Sequence, residues 1–143
     1  MITTNLPAGS IADLAAELRD AGLPASDLAE PNRRFYRFDD DRGLIGYGGV
    51  EGTGSDRLLR SLIVTSSRRR NGLGGTLLTA LERTAAADGT LALYLLTTTA
   101  ERFFQRHGYV IADRTDAPAA ITCSAEFRSL CPASATFLSK RII

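Results

Sequence analysis

The stretch from Leu58 to Leu96 constrains the fold more than any other. Leu58–Val64 is an apolar run of strand length. Leu73–Ala87 carries Leu73, Leu77, Leu78, Leu81 and Ala85 on one helical face, and Leu91–Leu96 is an uninterrupted apolar run. Such a run is the pattern of a strand buried on both sides. Strand, helix and strand over this length form a crossover, so the two strands are predicted to be parallel.

The flanking segments fill in the architecture. Ser10–Ala21 reads as a helix with Ile11, Leu14, Ala15 and Leu18 inward, Ser10 as its cap and Gly22 and Pro24 as its end. Phe35–Phe38 and Leu44–Glu51 form a hairpin around the polar turn Asp39–Gly43. Gly46, Gly48 and Gly49 weaken its second strand and point to a bulge or to close backbone approach. Thr98–His107 reads as a short helix, with Thr98 and Glu101 at capping-box spacing and Gly108 beyond its end. Tyr109–Ala112 and Thr136–Ile142 are predicted strands, and 116–131 is irregular or helical. The fold class is therefore α+β with α/β character: a mixed central sheet with an N-terminal hairpin, a βαβ core and flanking helices. At 143 residues the chain is expected to be a single domain, 1–143.

Composition narrows the function. Lys+Arg number 17 against 16 for Asp+Glu, a balance that makes no case for a nucleic-acid or acidic-membrane partner. The longest apolar run, Leu91–Leu96, falls far short of the roughly 18 residues of a membrane span. Met1–Asn5 lacks a basic region followed by an apolar stretch, so no secretion signal is expected and the location is read as cytoplasmic. Cys123 and Cys131 match no zinc or redox spacing. They read as reduced thiols, with trivalent arsenic binding as the alternative. His107 is the one histidine, so no metal centre is expected.

The chemistry is concentrated in Leu62-Ile63-Val64-Thr65-Ser66-Ser67-Arg68-Arg69-Arg70-Asn71-Gly72-Leu73-Gly74-Gly75-Thr76. A strand ends, three arginines follow, and glycines open a helix. The first turn of a helix has unpaired N–H groups and a partial positive charge. Glycines let a ligand approach those groups, and arginines add charge and planar donors. The combination suits a phosphate or pyrophosphate. No lysine follows Gly74-Gly75 as a Walker loop requires, and the third glycine of a dinucleotide fingerprint is absent.

Here the chain resembles the GNAT superfamily of N-acetyltransferases. The family's acetyl-CoA loop, Arg/Gln-x-x-Gly-x-Gly/Ala, is matched by Arg69-Arg70-Asn71-Gly72-Leu73-Gly74. Ala100, Gly108 and Tyr109 match its later Asn-x-x-Ala-x-x-x-Tyr-x-x-x-Gly-Phe pattern. The resemblance covers roughly Phe35 to the C-terminus. It implies a GNAT-type sheet whose two central strands splay around acetyl-CoA, the acetyl donor. It implies that backbone N–H groups of Arg70–Gly75, with Arg69, Asn71, Gly72, Leu73 and Gly74 among the loop residues, hold the pyrophosphate. Leu62, Ile63 and Val64 would pair with the pantetheine arm, and one of their N–H groups would stabilise the oxyanion. Thr97 stands where many members have a CoA-contacting asparagine. The family's acidic tyrosine aligns with Phe104, which has no proton to give, leaving Thr97, Thr98, Thr99 and Tyr109 as nearby hydroxyls.

The remaining site residues have two readings each. Glu51 is either the base that accepts the ammonium proton, as central-strand carboxylates often do in the family, or an exposed strand-end charge. Arg57 and Arg60 either recognise an anionic group of the substrate or serve structure, with Arg60 facing outward or paired with Glu51. Tyr94–Ala100 with Phe103-Phe104, and Phe127–Ala135, further resemble the small acetyltransferases of bacterial arsenic-resistance gene clusters. That resemblance implies a primary amine acceptor of the glutamate-like organoarsenical or phosphinic antibiotic type. Small family members often pair as homodimers. The alternatives are a protein or peptide N-acetyltransferase, and a non-catalytic acyl-CoA-binding or arsenic-responsive module.

Overall fold

A computed structural model describes the backbone of residues 1–143 and every side chain except that of Ala8. The strands are β1 (Ile2–Asn5), β2 (Arg33–Asp40), β3 (Gly43–Glu51), β4 (Asp56–Val64), β5 (Ala92–Thr97), β6 (Val110–Ile111) and β7 (Thr136–Arg141). The helices are α1 (Ile11–Asp20), α2 (Leu73–Ala87), α3 (Glu101–Arg106) and α4 (Ala119–Thr122), followed by a π-type turn at Glu126–Leu130. All seven strands join one sheet in the order β1-β2-β3-β4-β5-β7-β6. Only β4 and β5 run parallel, as the intervening crossover helix requires. The α+β class, the hairpin and the βαβ core expected from sequence are all present.

Alternation along the strands sends side chains to two cores. On one face Leu77, Leu78 and Leu81 of α2 and Phe104 of α3 pack on Tyr36, Phe38, Leu59, Leu93 and Leu95. On the other, Leu14, Ala15 and Leu18 of α1 pack on Phe35, Tyr47 and Ile63. The α1 stripe is the one its sequence spacing predicts. Ser10 occupies the position before that helix, but its side chain makes no capping hydrogen bond. The capping box expected at Thr98 and Glu101 does not form. Instead Ala100 N–H donates to Thr97 Oγ1 at 3.0 Å, so 98–100 form a turn and α3 starts at Glu101. The strand β1, pairing with β2, carries no apolar alternation and was not expected from sequence.

Two irregularities of β4 shape the centre. Gly49 pairs with Arg60 and Tyr47 with Ile63, so two steps on β3 match three on β4. The extra residue is a bulge, with Ser61 in the left-handed region at φ 59°. The bulge resets the facing of the strand. Arg60 lies over the Phe35 ring at 5.7 Å, on the α1 side, and Ile63 three residues later packs on that same side. The second irregularity is divergence. β4 pairs with β5 only from Asp56–Leu58 to Ala92–Tyr94, and beyond that the strands part.

The β3 glycines are the sequence's trace of this geometry. A Cβ on Gly46 would sit 2.0 Å from the Ile63 carbonyl oxygen, and one on Gly49 would sit 2.6 Å from the Phe35 ring. Gly46→Ala is expected to destabilise the protein by about 2–3 kcal/mol in a urea melt, because backbone must move. Gly54→Ala, with nothing within 4 Å of its Cβ, should stay within about 0.5 kcal/mol of wild type. Equal effects from both would exclude the close approach.

Candidate active site

The divergence of β4 and β5 opens a cleft of about 590 Å³. Leu59–Val64 line one side, and Leu95–Ala100 with Phe104 line the other. Further walls come from Ala21–Pro24 after α1 and from Glu126 and Leu130–Pro132 at the π-type turn. Residues from five separate segments meet here because the sheet splits where it would otherwise be continuous.

The carbonyls of Arg60 and Ile63 point at β3, by their nearness to Gly49 and Gly46. Strand alternation then turns the backbone groups of Leu62 and Val64 to the opposite side, where no β5 residue pairs with them. Arg69 Nε donates to the Val64 carbonyl at 2.9 Å, tying the loop to this strand. Of the loop residues singled out in the sequence, Arg69 lines the cleft, whereas Arg70–Gly75 lie outside its lining. Arg70 and Gly72 are both left-handed, each at φ 71°, and α2 begins directly after Gly72. No side chain caps its first turn, so the N–H groups there are free to meet a ligand. Gly74 and Gly75 are where Phe103 and His107 of the α3 segment press in: a Cβ would meet them at 3.2 Å and 2.7 Å. The glycines thus serve packing as well as approach. Arg68 is committed to Asp40 and the Leu44 carbonyl.

Behind the cleft wall lies a buried ionic cluster. The Arg60 side chain is 0% exposed. It forks onto Asp27 with two hydrogen bonds of 2.6 Å and donates to Glu51 Oε1 at 2.9 Å. Arg33 also donates to Asp27, at 2.9 Å, and lies 3.4 Å from Glu51. Glu126 Oε2 lies 3.3 Å from Arg60 Nη2. Burial works against ionisation of Asp27, but the hydrogen bonds from Arg60 and Arg33 outweigh it and hold its carboxyl below the usual range. Burial, reinforced by the charges of Asp27 and Glu51, pushes the Glu126 carboxyl up to about 7 despite Arg60. Burial and the nearby Glu126 likewise push the Cys131 thiol up to about 11.

The site residues expected from sequence are thus partly assembled. Leu62, Ile63, Val64, Arg69 and Thr97 meet around one cleft. Glu51 and Arg60 meet as well, as an ion pair, which is the structural reading of Arg60. Glu51 does not line the cleft. Arg57 is engaged elsewhere, by the Gly54 carbonyl at 2.8 Å and by Asp88 at 2.6 Å. Phe104 is buried and lines the cleft. Tyr109 drops out of the list of nearby hydroxyls: its hydroxyl donates to Glu82 at 2.9 Å, away from the cleft. Asp27 and Glu126 were not singled out from sequence. Their only local signal is an acid set among small and apolar neighbours, Ala25-Ser26-Asp27-Leu28 and Ala125-Glu126-Phe127.

Among the described residues no helix is long and apolar enough to cross a membrane, and no group of three or more acidic, histidine or cysteine side chains could hold a metal ion. A search of curated protein sequences returned no match. Solved structures do match. One is an aminoglycoside 6'-N-acetyltransferase complexed with coenzyme A, at TM-score 0.69 and 20% identity over 100% of this chain and 98% of that one. A second, the aminoglycoside 6'-N-acetyltransferase from Enterococcus faecium, gives 0.68 and 21% with the same coverage. A third, N-acetylglutamate synthase from Neisseria gonorrhoeae with coenzyme A and N-acetyl-glutamate, gives 0.75 and 17%, this chain spanning 36% of that one. The model of the acetyltransferase (GNAT) domain family matches residues 31–111, which hold the hairpin, the βαβ core and α3. The chain therefore belongs to the GNAT acetyltransferase family and is an acetyltransferase.

Proposed function

We propose that the protein moves the acetyl group of acetyl-CoA to the primary amine of a small molecule. The observation that carries this reading is the split between β4 and β5, with an uncapped, glycine-opened helix at the end of the same β4 segment. The pyrophosphate is anionic and suits the N–H groups of Arg70–Gly75, beside the positive end of α2. The pantetheine arm is an extended amide chain and suits the edge of β4 at Leu62–Val64, which no β5 residue pairs with. A backbone N–H on that edge acts as the oxyanion donor while the amine attacks the thioester carbonyl. Holding both reactants in one cleft supplies the orientation.

Among small amines, glutamate-like organoarsenical or phosphinic amino acids are the acceptors proposed. The support is the resemblance carried by Tyr94–Ala100 and Phe127–Ala135. The solved neighbours named above include enzymes of amino-acid and aminoglycoside acceptors, both small molecules.

Gly72→Glu is expected to abolish acetyl-CoA binding in calorimetry. Its Cβ meets nothing within 4 Å, and the left-handed φ of 71° adds a backbone cost of about 1–2 kcal/mol. Gly72→Ala, which brings no charge to the assigned pyrophosphate position, shares that cost and is the control. Unchanged binding would sink the loop assignment. A mass-detected panel of glutamate, phosphinothricin, its arsenic analogue, polyamines and a lysine peptide should give acetylated phosphinic and arsenical amino acids. Acetylation of the peptide alone would overturn the small-molecule reading.

A further inference from the structure

An amine attacks through a free lone pair, yet near neutrality it arrives as an ammonium ion. We propose that Glu126 takes the proton which that ammonium loses, an assignment that rests on the small-amine reading above.

Position comes first. Among the described residues lining the cleft, Glu126 is the only carboxylate. It comes from the π-type turn that forms one wall, facing the bulged part of β4 around Arg60 and Ser61. Its side chain is 5% exposed, so an ammonium beside it would be shielded from bulk water.

Charge balance comes second. Asp27, Glu51 and Glu126 face only two guanidinium groups, Arg60 and Arg33. Arg60 gives its short bonds to Asp27 and Glu51, and Arg33 gives its to Asp27 and the Pro31 carbonyl. Glu126 keeps a 3.3 Å contact to Arg60 and accepts no hydrogen bond from either. One negative charge is therefore in surplus, and it falls on the group that faces the cleft. Ionised, it attracts an ammonium; protonated, it relieves the surplus. The remaining neighbour is the Cys131 thiol, 3.9 Å from Oε1, which stays protonated at neutral pH and does not compete as an acceptor. Glu51, the carboxylate favoured from sequence, is held by Arg60 and Arg33 outside the cleft lining.

The step balances without another reactant. R–NH3+ gives one proton to the Glu126 carboxylate, and the free amine forms a C–N bond to the thioester carbon. The C–S bond breaks with its electron pair on sulfur. The nitrogen loses its second excess proton, which the departing thiolate takes. This suits a cleft in which Phe104 offers no acid. Glu126 then returns its proton to solvent.

Two readouts test this, and the first needs no amine. Glu126 holds its proton more tightly folded than unfolded, so its contribution to stability is present below its unfolded value and lost as pH rises through about 7. Glu126→Gln cannot ionise. Its melting temperature should therefore gain on wild type between about pH 4.5 and pH 7 and stay several degrees ahead at pH 8. A gap independent of pH overturns the proposal. The second readout is kcat/KM against pH, using the amine of the panel that wild type acetylates fastest. Wild type should show an acid limb near neutrality. Glu126→Gln should lose about 100-fold or more at pH 7 and show no such limb, with acetyl-CoA affinity unchanged. Glu126→Asp should keep the limb at reduced rate. If Glu126→Gln keeps the limb, or Glu51→Gln is the variant that loses it, the assignment is wrong. If wild type binds acetyl-CoA but acetylates nothing in the panel, the small-amine reading fails, and the pH-dependent melting gap still decides whether Glu126 carries the surplus charge.

Discussion

Arg60 is a full positive charge with no water around it, and the middle of the molecule is organised to hold it. Its partners come from the α1–β2 connection, from β3 and from the π-type turn, while it stands on β4 itself. A lone guanidinium at such a place would be prohibitively costly. With a bidentate carboxylate and a second acceptor it becomes a tie between segments far apart in sequence. Removing one partner of such a pair typically costs about 3–5 kcal/mol, since the other charge stays buried. The tie therefore sets where the Glu126 turn and the segment after α1 sit, and these form two walls of the cleft.

The bulge at Ser61 lets one strand serve two purposes. Upstream of it, Arg60 turns to the α1 side and anchors the cluster. Downstream, Ile63 remains on that side for the α1 core, while Leu62 and Val64 turn their backbone groups toward the cleft. A regular strand would send Arg60 and Ile63 to opposite faces, and one of the two would be lost. The left-handed serine carries a local backbone cost of about 1–3 kcal/mol, which the surrounding ladder and cores offset. Divergence from β5 then leaves the β4 edge open for an extended ligand. Elsewhere an open edge is a liability, but here it lies inside the molecule.

Regular segments were legible in the sequence. The limits of α2, Leu73–Ala87, follow from its leucine spacing and from Gly72, and the structure has the same limits. The glycines of β3 signalled a bulge or a close approach, and both occur, at β4 opposite Gly48 and at Gly46 against Ile63. The α3 start was misplaced because Thr97, not Thr98, captures the local N–H. In 116–131 no period is present to read, so neither the π-type turn nor the facing of Glu126 could be inferred. Tyr109 was near the right elements in sequence, but its hydroxyl finds Glu82 of α2, a partner that only packing supplies.

The sequence by itself determined the crossover, the parallel pairing at the centre, the glycine-opened helix and the family to which they point. Each depends on residues close together in the chain, through helical and strand periods and through the φ that glycine allows. The tertiary structure alone decided which charges face the cleft. Asp27, Arg33, Glu51, Arg60 and Glu126 are spread over five segments, and whether a carboxylate becomes a structural counter-ion or a group exposed to an incoming amine depends on distance and burial. Those are set by how the segments pack around one buried guanidinium, and no local pattern encodes them.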